Sequence, residues 1–353
     1  ALFGQTITGI HLGFLLINAA AIVLVFLLGK RLFSPAAGVM SCAAYAVLSI
    51  GQGVLGTQAH ATHFVVLAAL GGTLLLMHGI ESRRWLPLVW SGVLYGIAIL
   101  MKQHGVFFAL FGGLYLAWDH FPLWRDSALS AAKRLAAFAG GVFAPLAITG
   151  AGLWWAGVFG KFWFWTFQYG REYALLVPFK TGLTTFSYTF PPVVGPNLAL
   201  WIGAFAGLLF LWRKNEDRKR AVFVTAFLIF SFLAVCPGFY FRGHYFVLML
   251  PAVALLSGAA IDRAREQWPR AKGLFAVAYV AALVFSVAQQ REVLFRMSPA
   301  EVARTLYGHS PFPEAIEIAN YIQTHSTKDS RIAVLGSEPE LFFYANRHSA
   351  SGH

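Results

Sequence analysis

The sequence predicts an all-α polytopic transmembrane bundle of about ten spans, followed by the start of a small extracytoplasmic α/β domain. Three observations lead there. Hydrophobic residues make up 58% of the 353 and charged residues 12%, with a mean hydropathy of +0.63, whereas an ordinary soluble domain carries about 25% charged residues. The apolar residues gather into stretches near 7–29, 36–56, 61–79, 85–101, 104–120, 135–156, 197–212, 221–236, 245–261 and 272–290, and a bilayer span needs roughly 17–25 of them. The loops between them carry Lys and Arg on alternate sides.

That alternation sets the orientation. With Lys30 and Arg31 cytoplasmic, Arg83 and Arg84 fall on the same side, as do Arg125, Lys133 and Arg134. The run Arg213, Lys214, Arg218, Lys219 and Arg220 follows, then Arg263, Arg265, Arg270 and Lys272, so this side holds sixteen of the 27 basic residues. The opposite inter-span loops hold Lys102, Lys161, Arg171, Lys180 and Arg242. Positive residues stay inside, so the net charge of +12 reflects topology and lipid headgroups and calls for no nucleic acid. The expected organisation is a transmembrane domain over 1–290 with an outside aromatic loop at 157–196. Residues 291–353 begin an incomplete extracytoplasmic soluble domain. The chain starts at Ala1 with no basic stretch before its first span, so no signal peptide is visible and both ends read as cut. Cys42 and Cys236 read as packing residues, and His11 as a core residue.

After the tenth span the pattern becomes that of a soluble fold. Pro313 to Ile322 has apolar residues at helical spacing with Pro and Glu at its start, as a helix N-terminus prefers. Arg331 to Gly336 is a short apolar run suited to a buried strand, and Glu338 to Asn346 suits a second helix.

The chemistry must lie in the few polar groups facing outward. Lys102 ends the fourth span on the side where Lys is rare, either snorkelling to the interface or binding a phosphate as a point charge. Arg242, His244 and Tyr245 form a second outward cluster, read as aromatic belt or as phosphate and sugar contacts. In the loop 157–196, Lys161 to Tyr169 is dense in aromatics and is followed by Arg171, Glu172, Tyr173 and Lys180. It suits an interfacial anchor helix, or a lid over a site that admits a lipid-linked substrate. His60 and His63, three apart, suit the polar lining of a cavity better than a metal. No metal-ligand set, paired-carboxylate site, nucleophilic triad or cofactor motif is found, and Glu172 is the single acid of the outward inter-span loops.

The span ending Gly92-Val-Leu-Tyr-Gly96-Ile-Ala-Ile-Leu-Met-Lys102 resembles the glycine-rich, lysine-terminated signature of GT-C membrane glycosyltransferases. That group includes the protein mannosyltransferases and lipid A aminoarabinose transferases of glycosyltransferase family 39. Arg242-Gly-His-Tyr-Phe246 with Leu248-Met-Leu-Pro251 is similar to a late segment of the same family. Gly29-Lys-Arg-Leu-Phe33 and the tail from Gly336 to Tyr344 also resemble it.

The resemblance implies inverting transfer of a sugar from a polyprenyl-phosphate donor to a protein, lipid or glycan acceptor outside the cytoplasm, in a multi-pass protein of a bacterial inner membrane. It implies a catalytic acid in a loop that would precede residue 1, with Glu172 as the weak candidate within this chain, and hence a chain inactive alone. Lys102 and Arg242, assisted by Arg171 and Lys180, would bind the donor phosphate. His244, Tyr245, His60 and His63 would contact substrate. The family often has an acid where this chain has Gln58 to His63, which leaves that role open. The competing readings are an oligosaccharide ligase or polymerase with a lipid-linked donor, and a secondary transporter; the latter is disfavoured because no half-to-half repeat is visible.

Overall fold

The computed structural model describes residues 3–4, 6–119, 121–213, 218–336 and 338–351, with backbone alone at 121–126. Lys214 and the side chain of Arg125, which entered the charge pattern, lie outside the described residues, as does Ser337 of the tail motif. The chain forms two compact units, Ala1–Gln289 and Gln290–His353.

The first unit is a helical bundle. Its helices are α1 (Ile7–Leu32), α2 (Pro35–Ser49), α3 (Ala61–Ser82), α4 (Leu86–Met101), α5 (Val106–Asp119) and α6 (Phe121–Trp155). Four helices follow in the stretch expected to be a loop and just beyond it: α7 (Phe159–Trp163), α8 (Gly170–Leu175), α9 (Phe179–Val194) and α10 (Leu198–Arg213). The unit closes with α11 (Arg218–Leu233), α12 (Leu250–Gln267) and α13 (Lys272–Gln289). Local chemistry sets several starts. Thr6 caps α1 by accepting from the Gly9 amide, and Ser34 caps α2 by accepting from Ala37 ahead of Pro35 at the first helical position, the arrangement that satisfies the free amides of a first turn.

Helix α12 forms the centre, with every residue from Leu250 to Ala260 buried, as an apolar helix surrounded by others must be. It packs against α2 and α10. Helices α4 and α6 approach so closely that a Cβ at Gly92 would strike the Phe138 carbonyl and one at Gly96 the Val142 carbonyl. Small residues permit this contact where lipid supplies no hydrophobic drive between helices. The outer helices leave large apolar side chains exposed, among them Leu15, Phe143, Ile148, Val277 and Phe285. Such a surface is intolerable in water but matched to hydrocarbon. The chain is a multi-pass integral membrane protein.

Ten spans were expected; among the described residues six helices are long and apolar enough to cross a bilayer, Ile7–Leu32, Ala61–Ser82, Ser127–Trp155, Phe179–Arg213, Gly243–Gln267 and Pro269–Gln289. Helices α2 and α4, with 15 and 16 residues, reach only about 22–24 Å at 1.5 Å per residue. Helix α4 stops because Lys102 adopts extended backbone (φ −162°, ψ 138°) and a tight turn, Gln103–Gly105, follows. The stretch 157–196, expected as an outside loop carrying an anchor helix or a lid, is helical over most of its length. A π-helical turn, Phe164–Tyr169, joins α7 to α8, and α9 runs through Pro191 and Pro192 into α10 by way of the turn Gly195–Asn197. Pro191 and Pro192 each remove one amide from the helical ladder, yet the helical path continues into α10. His11, expected in the core, is exposed on α1, and Cys42 and Cys236 are half-buried.

One end of the bundle holds the charge pairs. Arg31 clasps Glu81 with two bonds of 2.7 and 3.2 Å, Lys219 lies 3.6 Å from Asp119, and Arg263 bonds Glu266 at 2.6 Å. Ser34 donates to Asp262 at 2.8 Å, and Arg134 donates to the Arg83 and Gly79 carbonyls. The turns at the opposite end carry the residues considered below.

The second unit contains α14 (Pro299–Tyr307), α15 (Ala315–Thr324), β1 (Arg331–Ile332), α16 (Glu340–Ala345) and β2 (His348–Ser349). The strands pair in parallel, Arg331 with His348 and Ile332 with Ser349. The run from Arg331, expected to be a buried strand, yields two paired residues and is not buried, with Leu335 fully exposed. Ser298 and Glu301 form a reciprocal capping box at the start of α14. Arg347 is buried and donates to the Ser326 hydroxyl and to the Gln323 and Ser326 carbonyls, tying α15 to the strand end.

Candidate functional site

Four turns meet at the end of the first unit away from the charge pairs: the start of α3, the end of α4, α8, and the chain from Cys236 to Met249. They bring together Lys102, Arg242, His60, His244 and Tyr245, which the sequence singled out, and add His104, Tyr173 and Tyr240.

The Lys102 ammonium lies 3.9 Å from the centre of the Tyr245 ring, a cation–π contact that leaves its charge unneutralised. Burial, and then the Arg242 charge, brings its pKa down to about 8. His104 Nδ1 bonds the Ala234 carbonyl at 2.6 Å, and its ring meets Tyr245 edge-on at 4.8 Å. Arg242 donates from Nη2 to the Tyr173 hydroxyl at 2.9 Å, with its guanidinium 5.4 Å from the Tyr240 ring centre. Tyr240 donates its own hydroxyl to the Tyr173 carbonyl at 3.0 Å, and the two rings stack at 4.8 Å. His60 and His244 stack at 4.0 Å with planes 9° apart. His60 Nε2 and His244 Nδ1 are buried without a hydrogen-bond partner among the described residues.

Two basic groups therefore stand among imidazoles and phenols, and among the described residues no carboxylate pairs with either. Such a site favours an anion. The backbone leading to Arg242 is unusual, with φ of 55° at Phe239 and 41° at Phe241. Bulky side chains avoid that region, and it recurs at functional sites.

Of the remaining sequence candidates, His63 follows His60 by one turn and its amide donates to the His60 carbonyl at 3.1 Å. His63, fully buried, sets its ring edge-on to Phe14 at 4.6 Å. Because His60 caps α3 rather than joining it, the two imidazoles take different environments. Arg171 and Glu172 are exposed along an open groove on α8 with Phe164, Gln168 and Leu175, and Lys180 is exposed in the first turn of α9.

A second feature had no local signal in the sequence. Helices α4, α5, α6 and α7 enclose an apolar groove of about 920 Å³, lined by residues such as Leu100, Leu110, Phe138, Val142 and Phe143. Lys102 and Gln103 line it as well, with Phe162 and Phe167 of the aromatic stretch. The groove thus joins membrane-facing apolar surface to a cation. Tyr173, noted only as part of the outside loop, and Tyr240, inside the run Phe239 to Phe241, were not taken as site residues.

Residues 1–148 match the family described as dolichyl-phosphate-mannose-protein mannosyltransferase. The fold is similar to the Archaeoglobus fulgidus oligosaccharyltransferase in its apo form, with a TM-score of 0.52 and 13% identity over 97% of this chain and 49% of that one. A second structure of that enzyme, tethered through a disulfide to an acceptor peptide containing the NVT sequon, gives 0.50 and 14% over 96% and 48%. The chain thus spans about half the length of these structures. No curated protein matches it. The family match rests on the first 148 residues, and the likeness to the oligosaccharyltransferase is one of fold. The mannosyltransferase pattern covers the part that includes His60 and Lys102, and the likeness of fold extends over nearly the whole chain.

Proposed function

We propose that this protein transfers a sugar from a polyprenyl-phosphate donor to an acceptor on the extracytoplasmic side of a membrane, with inversion at the anomeric carbon. The observation that carries the reading is the meeting of a lipid-sized apolar groove with Lys102, beside Arg242 and the two histidines. The prenyl chain lies in the groove and its phosphate sits on the two cations. Attack by an acceptor hydroxyl breaks the bond from the anomeric carbon to the phosphate oxygen. The departing phosphate gains a negative charge, which Lys102 and Arg242 stabilise. The acceptor's proton passes to a carboxylate base; Glu172 is the candidate in this chain. His244, Tyr245 and His60 contact phosphate or sugar, His63 supports them from the core, and Arg171 and Lys180 attract the anionic donor.

In this reading the shorter helices also cross the membrane, giving ten spans in a bacterial inner membrane, and residues 291–353 open an extracytoplasmic α/β domain. The likeness to an oligosaccharyltransferase supports a second reading, in which the lipid-linked donor carries an oligosaccharide and the acceptor is a peptide. The test is transfer from radiolabelled polyprenyl-phosphate hexose in membranes. Lys102→Ala and Arg242→Ala should each lower turnover about 10²-fold or more while the protein still inserts. Transfer untouched by both changes removes this phosphate site, and transfer only from an oligosaccharide donor selects the second reading.

A further inference from the structure

Two hydrogen bonds tie the cation-bearing turns to one helical segment. Gln103, next to Lys102, donates from Nε2 to the Thr166 carbonyl at 2.9 Å. Thr166 lies in the π-helical turn Phe164–Tyr169, and such turns leave carbonyls off the regular helical ladder and recur at functional sites. Tyr173, in the α8 turn that follows, receives the Arg242 guanidinium at 2.9 Å. Its carbonyl receives the Tyr240 hydroxyl while the two rings stack with planes 12° apart.

Neither cation is anchored by an acid in these contacts. Lys102 stands on extended backbone past the end of α4. Arg242 follows two residues of positive φ, Phe239 and Phe241, and such backbone persists only where its surroundings over-determine it. A phenol that accepts from a guanidinium fixes its direction without cancelling its charge. The remaining N–H groups stay free to meet an anion. A carboxylate in the same place would compete with that anion.

We propose that the segment Thr166 to Tyr173 is the positioning element of the cation pair, holding Lys102 and Arg242 toward a single phosphate group, with Tyr173 aiming Arg242. This rests on the phosphate reading of the site and adds to it. Tyr173 acts through Arg242 and is a positioning residue, not a catalytic one. The aromatic stretch that faces the membrane is then also the part that sets the geometry of the anion site.

The experiment is a pair of double-mutant cycles read by binding of farnesyl phosphate to the protein in phosphatidylcholine nanodiscs. Tyr173→Phe keeps the ring and its stacking and removes only the hydroxyl. It should weaken binding about fivefold when Arg242 is present and leave Kd unchanged in an Arg242→Gln background. Gln103→Leu should behave alike toward Lys102, weakening binding with the native lysine and not in Lys102→Met. The second cycle keeps the proposal testable if Tyr173→Phe unfolds. Equal losses in both backgrounds, or no loss at all, overturn the positioning role and leave the phosphate reading intact. Absence of farnesyl phosphate binding to the unaltered protein overturns the phosphate reading and this inference together. Competition by phosphatidylglycerol as effective as by farnesyl phosphate assigns the cations to lipid headgroups and overturns the proposal.

Discussion

The Lys102 ammonium stands 3.9 Å from the centre of the Tyr245 ring, although the two residues come from turns far apart in the chain. The contact holds a half-buried cation beside the groove, with no acid paired to it among the described residues. Exposed cation–π contacts contribute about 0.5–1 kcal/mol and desolvated ones about 2. Tyr245→Leu should therefore weaken prenyl phosphate binding about three- to thirtyfold, while Tyr245→Phe stays within about twofold. An equal loss in both variants would mean that the hydroxyl, not the ring, carries the effect.

Binding should also depend on pH. Burial and then Arg242 bring Lys102 down to about 8, and the charged form is the one that holds phosphate. The sign follows: affinity is full below pH 8 and falls as pH rises through it, at most about tenfold per pH unit. Lys102→Arg should flatten the profile, because guanidinium keeps its proton. Titration of Kd for farnesyl phosphate from pH 7 to 9.5 checks both. A flat profile in the unaltered protein would remove Lys102 from the phosphate site.

The groove predicts selectivity for chain length. Leu110 lines it and is open to a larger side chain. Leu110→Trp should raise KM roughly tenfold for a long-chain polyprenyl donor, through steric overpacking, and leave a ten-carbon donor little changed. Equal effects on both donors would show that the prenyl chain lies elsewhere.

Helix packing gives a prediction independent of any ligand. A Cβ at Gly92 meets the Phe138 carbonyl, whereas one at Gly140 meets nothing within 4 Å. Gly92→Ala should cost about 1–3 kcal/mol, and Gly140→Ala should cost little or stabilise its helix. Thermal unfolding of both variants in detergent decides it, and equal midpoints would contradict the close α4–α6 contact.

How much of this was legible depends on the range of the interaction. The helices of the bundle were readable because apolar runs between basic loops are a local property. Their lengths were less so, since Lys102 leaves the helix for a tertiary reason: Gln103 and His104 bond Thr166 and Ala234 from distant segments. Arg242, His244 and Tyr245 stood out as polar residues on the sparsely charged side. Tyr173 did not, because its contact with Arg242 joins segments 69 residues apart in the chain. The stretch 157–196 was read as an outside loop with an anchor helix or a lid; how it docks is set by contacts distant in the chain, Gln103 with Thr166 and Arg242 with Tyr173.

The sequence by itself determined the solvent. A chain this apolar, with basic residues gathered on alternate loops, can satisfy its backbone only as helices in a bilayer. It also singled out a few cations, since Lys and Arg are scarce in every second loop. The tertiary structure alone decided which of them meet. Lys102 and Arg242 converge because α12 is buried among its neighbours and fixes the turn before it, while Arg171 and Lys180 stay on exposed helix faces. The groove arose the same way, from the gap left where α4 and α6 touch through glycine and α5 and α7 close over them. Neither feature is local in the chain. Each is the shape left over when large and small side chains from separate helices pack to a common density.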